Sequence, residues 1–110
     1  MEFTYTAADV ERIHEAGKFA AMASLEGGHL IADSLGGLRL FHRMGIRYMT
    51  LAHFASNNFA DSMTGQPIPT GLSPFGHELV RRGIALGWLW TCCTSPKRPW
   101  CMRWDTRGRR

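Results

Sequence analysis

The chain has 110 residues, of which 45% are apolar and 20% charged, and this composition is typical of one small globular domain. No apolar run approaches the roughly 18 residues of a membrane span. The net charge of +4 is uneven, because residues 87–110 carry six basic residues and one acid, together with all four Trp and all three Cys. Residues 1–86 are close to neutral, so we interpret the two stretches separately.

The compartment is predicted from the N-terminus and the cysteines. The N-terminus lacks the basic and then apolar order of a signal peptide. An odd number of cysteines does not form a disulfide framework, so a reducing compartment is the default. We therefore expect a cytoplasmic protein without a membrane segment.

Helices and strands alternate in the first half of the chain. Thr6 is expected to cap a first helix, with Asp9 in the capping box, and apolar residues 19–25 indicate a buried strand. Asp33 or Ser34 should cap a second helix, and residues 46–53 follow as the next strand. This order with short connections predicts parallel βαβ units.

A long loop and a third helix follow. Residues 54–72 are rich in Asn, Gly and Pro and predict a loop, which in compact domains usually has a function or lacks order. Ser73 and Pro74 favour the start of a helix that runs to about Arg82. The apolar stripe of the second helix is expected to face a neighbour outside this chain; its members are Leu35, Leu38, Phe41 and Met44.

Residues 83–110 do not continue this pattern. Their Trp, Cys, Pro and Arg content fits neither a helical nor a strand period, so we expect an irregular or disordered tail. The predicted organisation is therefore an ordered segment, residues 1–82, followed by an aberrant basic tail, residues 83–110.

Glu26 is the first candidate for a functional residue. It ends the apolar run and precedes two glycines, and the carboxyl ends of parallel strands are where α/β enzymes place catalytic groups. Glu26 is thus a candidate metal ligand or general base, although a turn carboxylate is the plainer interpretation of the residue alone. His53 lies at the end of the next predicted strand. We expect Asp61 to be a solvated loop acid and assign His29 no role.

Five segments in series resemble the membrane (renal-type) dipeptidases, a family of zinc metallopeptidases with a TIM barrel. They span roughly residues 3–82, and one departure is His42, where the family usually has Tyr. The segments are residues 6–13 (TAADVERI), 25–29 (LEGGH), 34–39 (SLGGLR), 45–53 (GIRYMTLAH) and 71–76 (GLSPFG).

The resemblance implies a partial (β/α)8 barrel of two or three βα units, because a complete barrel needs about 200 residues or more. It also implies hydrolysis of dipeptides by water activated between two Zn²⁺ ions. Glu26 matches the glutamate that bridges the metals, and His53 matches a histidine that contacts substrate. The family's other metal ligands have no counterpart here, so we expect this chain alone to be inactive.

The tail has two further interpretations. A one-base shift of the reading frame near Arg82, called the slip below, would explain the composition of the tail. When each codon is read from the last base of one residue and the first two of the next, an amino-acid sequence close to the family's next segment is recovered. Alternatively, the basic tail with its Trp residues would make the chain a small nucleic-acid- or membrane-binding module. We favour the slip and expect no nucleic-acid partner. The spacing of the cysteines in the tail does not match a zinc site.

Overall fold

A computed structural model describes residues 1–62, 64–66 and 71–91. Five short strands, three α-helices and one 3-10 helix make up this part of the chain. The elements are β1 (Glu2–Phe3), α1 (Ala7–Glu15), β2 (Ala20–Ala21), β3 (Ser24–Glu26), a 3-10 helix (Gly28–Ile31), α2 (Leu35–Arg43), β4 (Tyr48–Thr50), α3 (Pro74–Leu86) and β5 (Leu89–Thr91).

The strands form two parallel sheets, which confirms the predicted parallel pairing. One sheet has the order β3-β4-β5 and the other pairs β1 with β2. The single strand predicted over residues 19–25 is therefore wrong in detail, because its first half pairs with β1 and its second half with β4. Glu26, Thr50 and Thr91 share one row across the larger sheet.

The helices begin at polar caps, as the sequence predicts. The Thr6 side chain accepts a hydrogen bond from the Asp9 amide, and the Asp9 carboxylate completes the capping box. Ser34, rather than Asp33, caps α2, because its hydroxyl accepts from the amides of Gly36 and Gly37. Asp33 instead adopts a left-handed backbone with a φ of 51°.

The core lies between the larger sheet and the two helices α2 and α3. Leu25, Met49 and Trp90 share a register row and belong to one apolar cluster with residues of both helices. Leu38 of α2 is fully buried. Leu35 and Phe41 pack against the same cluster, so the expectation that this stripe faces an absent neighbour is wrong for these three residues. Met44 is 66% exposed.

The structure corrects the prediction for the start of the tail. α3 continues past Arg82 to Leu86, and β5 then joins the sheet. The expectation of neither helix nor strand is therefore wrong for residues 83–91. The indole of Trp90 lies directly on Gly83, where a Cβ atom would come within 1.9 Å of it. Residues 92–110 lie outside the described part of the chain.

Candidate metal and substrate site

Glu26 and His53 meet at the carboxyl ends of two adjacent parallel strands. Glu26 is the last residue of β3, and His53 follows the end of β4 by three residues. The His53 Nε2 atom lies 3.2 Å from Glu26 Oε1, which is within hydrogen-bonding distance. The Glu26 side chain is 74% exposed and that of His53 is 31% exposed, so the pair faces outwards at the edge of the sheet.

The two glycines after Glu26 fix the path of the turn. Gly27 has a φ of +112°, which a residue with a side chain rarely adopts. Gly28 is buried, and its amide donates a 3.2 Å hydrogen bond to the Leu51 carbonyl. A Cβ atom on Gly28 would lie 2.5 Å from the ring of Phe59. The turn that carries Glu26 therefore packs tightly against the segment that carries His53.

Sequence reasoning missed Asn57. Its Nδ2 atom donates to the Leu51 carbonyl at 2.8 Å, and its Oδ1 atom accepts from the amides of Phe59 and Ala60. Asn commonly forms such turns through its side chain, which is the signal that could have identified it. Asn57 thus connects the end of β4 to the loop that follows.

Asp61 and His29 differ in their surroundings. The expectation that Asp61 is a solvated loop acid is wrong, since only 3% of the residue is exposed. Its Oδ2 atom accepts a 2.6 Å hydrogen bond from the Gly71 amide, which connects the middle of the loop to its C-terminal end. His29 is exposed, and its ring lies over Gly27.

The donor set can be compared with what a zinc centre requires. A carboxylate and an imidazole are both groups that zinc binds, and a zinc ion usually takes three or four protein ligands. Within residues 1–62, 64–66 and 71–91, no three His, Cys, Asp or Glu side chains come together. The described residues therefore do not fit two zinc ions by themselves.

Comparison with known proteins is consistent with this geometry. The family model for membrane dipeptidases (Peptidase family M19) matches residues 1–90. The chain belongs to this family. The match extends beyond Arg82 through α3 and into β5, and it gives no support to a basic binding module.

Several curated dipeptidases are similar to this family member. Dipeptidase tcpJ of Claviceps purpurea is 44% identical over 90 residues, which cover 81% of this chain and 21% of the relative. Dipeptidase ataJ of Aspergillus terreus is 39% identical over 73 residues, covering 66% of this chain and 18% of the relative. The chain thus spans about a fifth of the length of the curated relatives that it matches.

Solved structures share its fold. The crystal structure of the probable dipeptidase PvdM from Pseudomonas aeruginosa superposes with a TM-score of 0.79 and 26% identity, over 89% of this chain and 26% of that one. An amidohydrolase from the same organism superposes with a TM-score of 0.71 and 22% identity, over 83% of this chain and 27% of that one, and shows the fold alone. None of the helices in the described part of the chain is long and apolar enough to cross a membrane.

Proposed function

We propose that this chain is a segment of a metal-dependent dipeptidase barrel, in which Glu26 is a metal ligand and His53 contacts the dipeptide substrate. One observation carries the proposal. The two side chains come from the carboxyl ends of neighbouring parallel strands and approach to 3.2 Å. In barrel enzymes, this end of the strands carries the catalytic residues.

The proposed metal is zinc, as in the family that the sequence resembles. Zinc would supply activation of a water molecule and polarisation of the scissile carbonyl. Glu26 is exposed enough to reach an ion, and its carboxylate has two oxygens that could bind two ions. Since the described residues supply no third ligand beside this pair, we propose that the chain alone is inactive.

A shifted reading frame remains our proposal for the C-terminal residues. The family match and β5 end at almost the same place, residues 90 and 91. We propose the slip near Arg82, because the family-like string read across adjacent codons begins directly after it; the family match in the present frame runs eight residues further. The coding DNA tests this proposal: it should contain a family-like segment in the neighbouring frame downstream of that point, and its absence from every frame would refute the slip.

The inactivity of the chain alone is tested with purified protein. We expect less than stoichiometric zinc by elemental analysis and no turnover of a simple dipeptide. The matched variant is Glu26→Gln, which keeps the size of the side chain and removes its charge. One or two zinc ions per chain, together with a hydrolytic activity that Glu26→Gln removes, would contradict inactivity while supporting the role of Glu26.

A further inference from the structure

Three backbone carbonyls around His53 accept hydrogen bonds from side chains of the following loop. The carbonyl of His53 itself accepts from the Ser62 hydroxyl. The Phe54 carbonyl accepts from Thr64 Oγ1 at 2.7 Å, and the Leu51 carbonyl accepts from Asn57 at 2.8 Å. The segment that presents the imidazole is therefore held by side chains as well as by its strand.

Ser62 makes the most direct of these contacts. The residue is only 1% exposed, whereas the His53 side chain is 31% exposed. The Ser62 amide is held in turn by the Ser56 hydroxyl at 2.9 Å, which fixes the backbone of the serine. The Ser62 hydroxyl also accepts from the Thr64 amide at 3.3 Å, so it both donates to the His53 carbonyl and accepts within the loop. A buried hydroxyl satisfied on both sides is well suited to hold an exposed neighbour in one place.

Asn57 connects this support to Glu26. The Leu51 carbonyl accepts from Asn57 and also from the amide of Gly28, two residues after Glu26. The turn that carries Glu26 and the loop that supports His53 thus share one acceptor. The side chains of Glu26 and His53, which approach to 3.2 Å, are therefore carried by segments bonded to the same carbonyl.

We propose that Ser62 is a positioning residue for His53, and that Asn57 sets the distance between His53 and Glu26. This inference rests on the proposed function, in which His53 contacts the substrate. Ser62 and Asn57 act through the backbone of the His53 segment and need not touch the substrate themselves. Their role is to keep the imidazole at the edge of the sheet, beside the carboxylate.

The reactivity of the His53 imidazole in the 110-residue chain tests this role. Diethyl pyrocarbonate modifies accessible imidazoles, and mass spectrometry gives a separate rate for each histidine. Ser62→Ala should raise the rate at His53, by up to about threefold, which is the factor between 31% and full exposure of the side chain. The rates at His14 and His77, which are exposed on helices, should stay constant. Ser34→Ala is the matched control, since it removes a serine hydroxyl that caps α2.

A second comparison separates positioning from general loss of structure. Glu26→Gln alone should change the rate at which diethyl pyrocarbonate modifies His53. The same substitution should change that rate less in a protein that already carries Ser62→Ala. Asn57→Asp retains the oxygen that accepts from the loop amides and loses the donor to Leu51. It should likewise weaken the effect of Glu26→Gln, and it carries the test if Ser62→Ala does not fold.

Two results would overturn the inference. One is an unchanged His53 rate in folded Ser62→Ala and Asn57→Asp proteins. The other is an equal rise at His14, His53 and His77, which would indicate a general loosening of the chain. Since hydrolysis is not measured, failure here is distinct from failure of the proposed function, which is tested by zinc content and turnover.

Discussion

Gly28→Ala should destabilise the turn that carries Glu26. A Cβ atom at this position would lie 2.5 Å and 2.8 Å from two ring atoms of Phe59 and 2.6 Å from the Leu51 carbonyl oxygen. Phe59 is fully buried, and the carbonyl belongs to the backbone, so neither can move away cheaply. Forcing a methyl group into a packed core costs about 1–3 kcal/mol, and we expect a value near the upper end.

Urea unfolding followed by circular dichroism measures this loss. A cost of about 3 kcal/mol changes the unfolding equilibrium by roughly two orders of magnitude. Gly36→Ala is the matched control, because Gly36 is an exposed residue of α2 whose nearest neighbour would be the Ser34 hydroxyl at 3.1 Å. We expect it to be neutral or slightly stabilising. A Gly28→Ala protein as stable as the wild type would refute the close packing of this turn.

Three further predictions concern α3. Gly83→Ala should lower the free energy of unfolding in urea by about 1–3 kcal/mol, because a Cβ atom would lie 1.9 Å from the Trp90 ring. This loss should be smaller when Trp90 is also replaced by Leu. Hydrogen bonds from Arg81, and to a smaller extent from Arg82, lower the pKa of Glu78 from 4.5 to about 2. The stability that these ion pairs contribute is therefore present above pH 4.5 and lost as the pH falls towards 2, and Glu78→Gln should remove this part of the pH dependence. Ser73→Ala should lower the free energy of unfolding in urea by about 1 kcal/mol, because the Ser73 hydroxyl caps α3 by accepting from the Gly76 amide. An unchanged free energy of unfolding would exclude the capping role.

The helix starts could be predicted because capping is local. Thr6 and Ser73 each bond to an amide three residues away, so a short window of sequence contains both partners. Glu26 was correctly placed at a strand end, whereas the strand predicted over residues 46–53 is shorter and ends at Thr50, three residues before His53. Their approach to 3.2 Å required the parallel pairing of β3 with β4, which the alternating order of elements indicates.

Predictions that depended on distant partners were less successful. The apolar run over residues 19–25 does not reveal that its halves pair with different strands. The burial of Asp61 depends on Gly71, which lies ten residues away across the loop. The composition of residues 83–91 did not reveal that they form the end of α3 and the strand β5. The Trp90 ring fits against α3 because Gly83 has no side chain, a contact that the sequence pattern does not show.

A complete barrel tests the role of Glu26 most directly. Residues 1–90 of this chain, placed over the matching segment of the Claviceps purpurea dipeptidase, would bring Glu26 and His53 into a full-length protein. We expect this chimera to bind zinc and hydrolyse a dipeptide, and Glu26→Gln to remove both properties. Glu11→Gln, which changes an exposed acid of α1, should retain them. A Glu26→Gln chimera with full zinc content and unchanged turnover would contradict the assignment of Glu26 as a metal ligand.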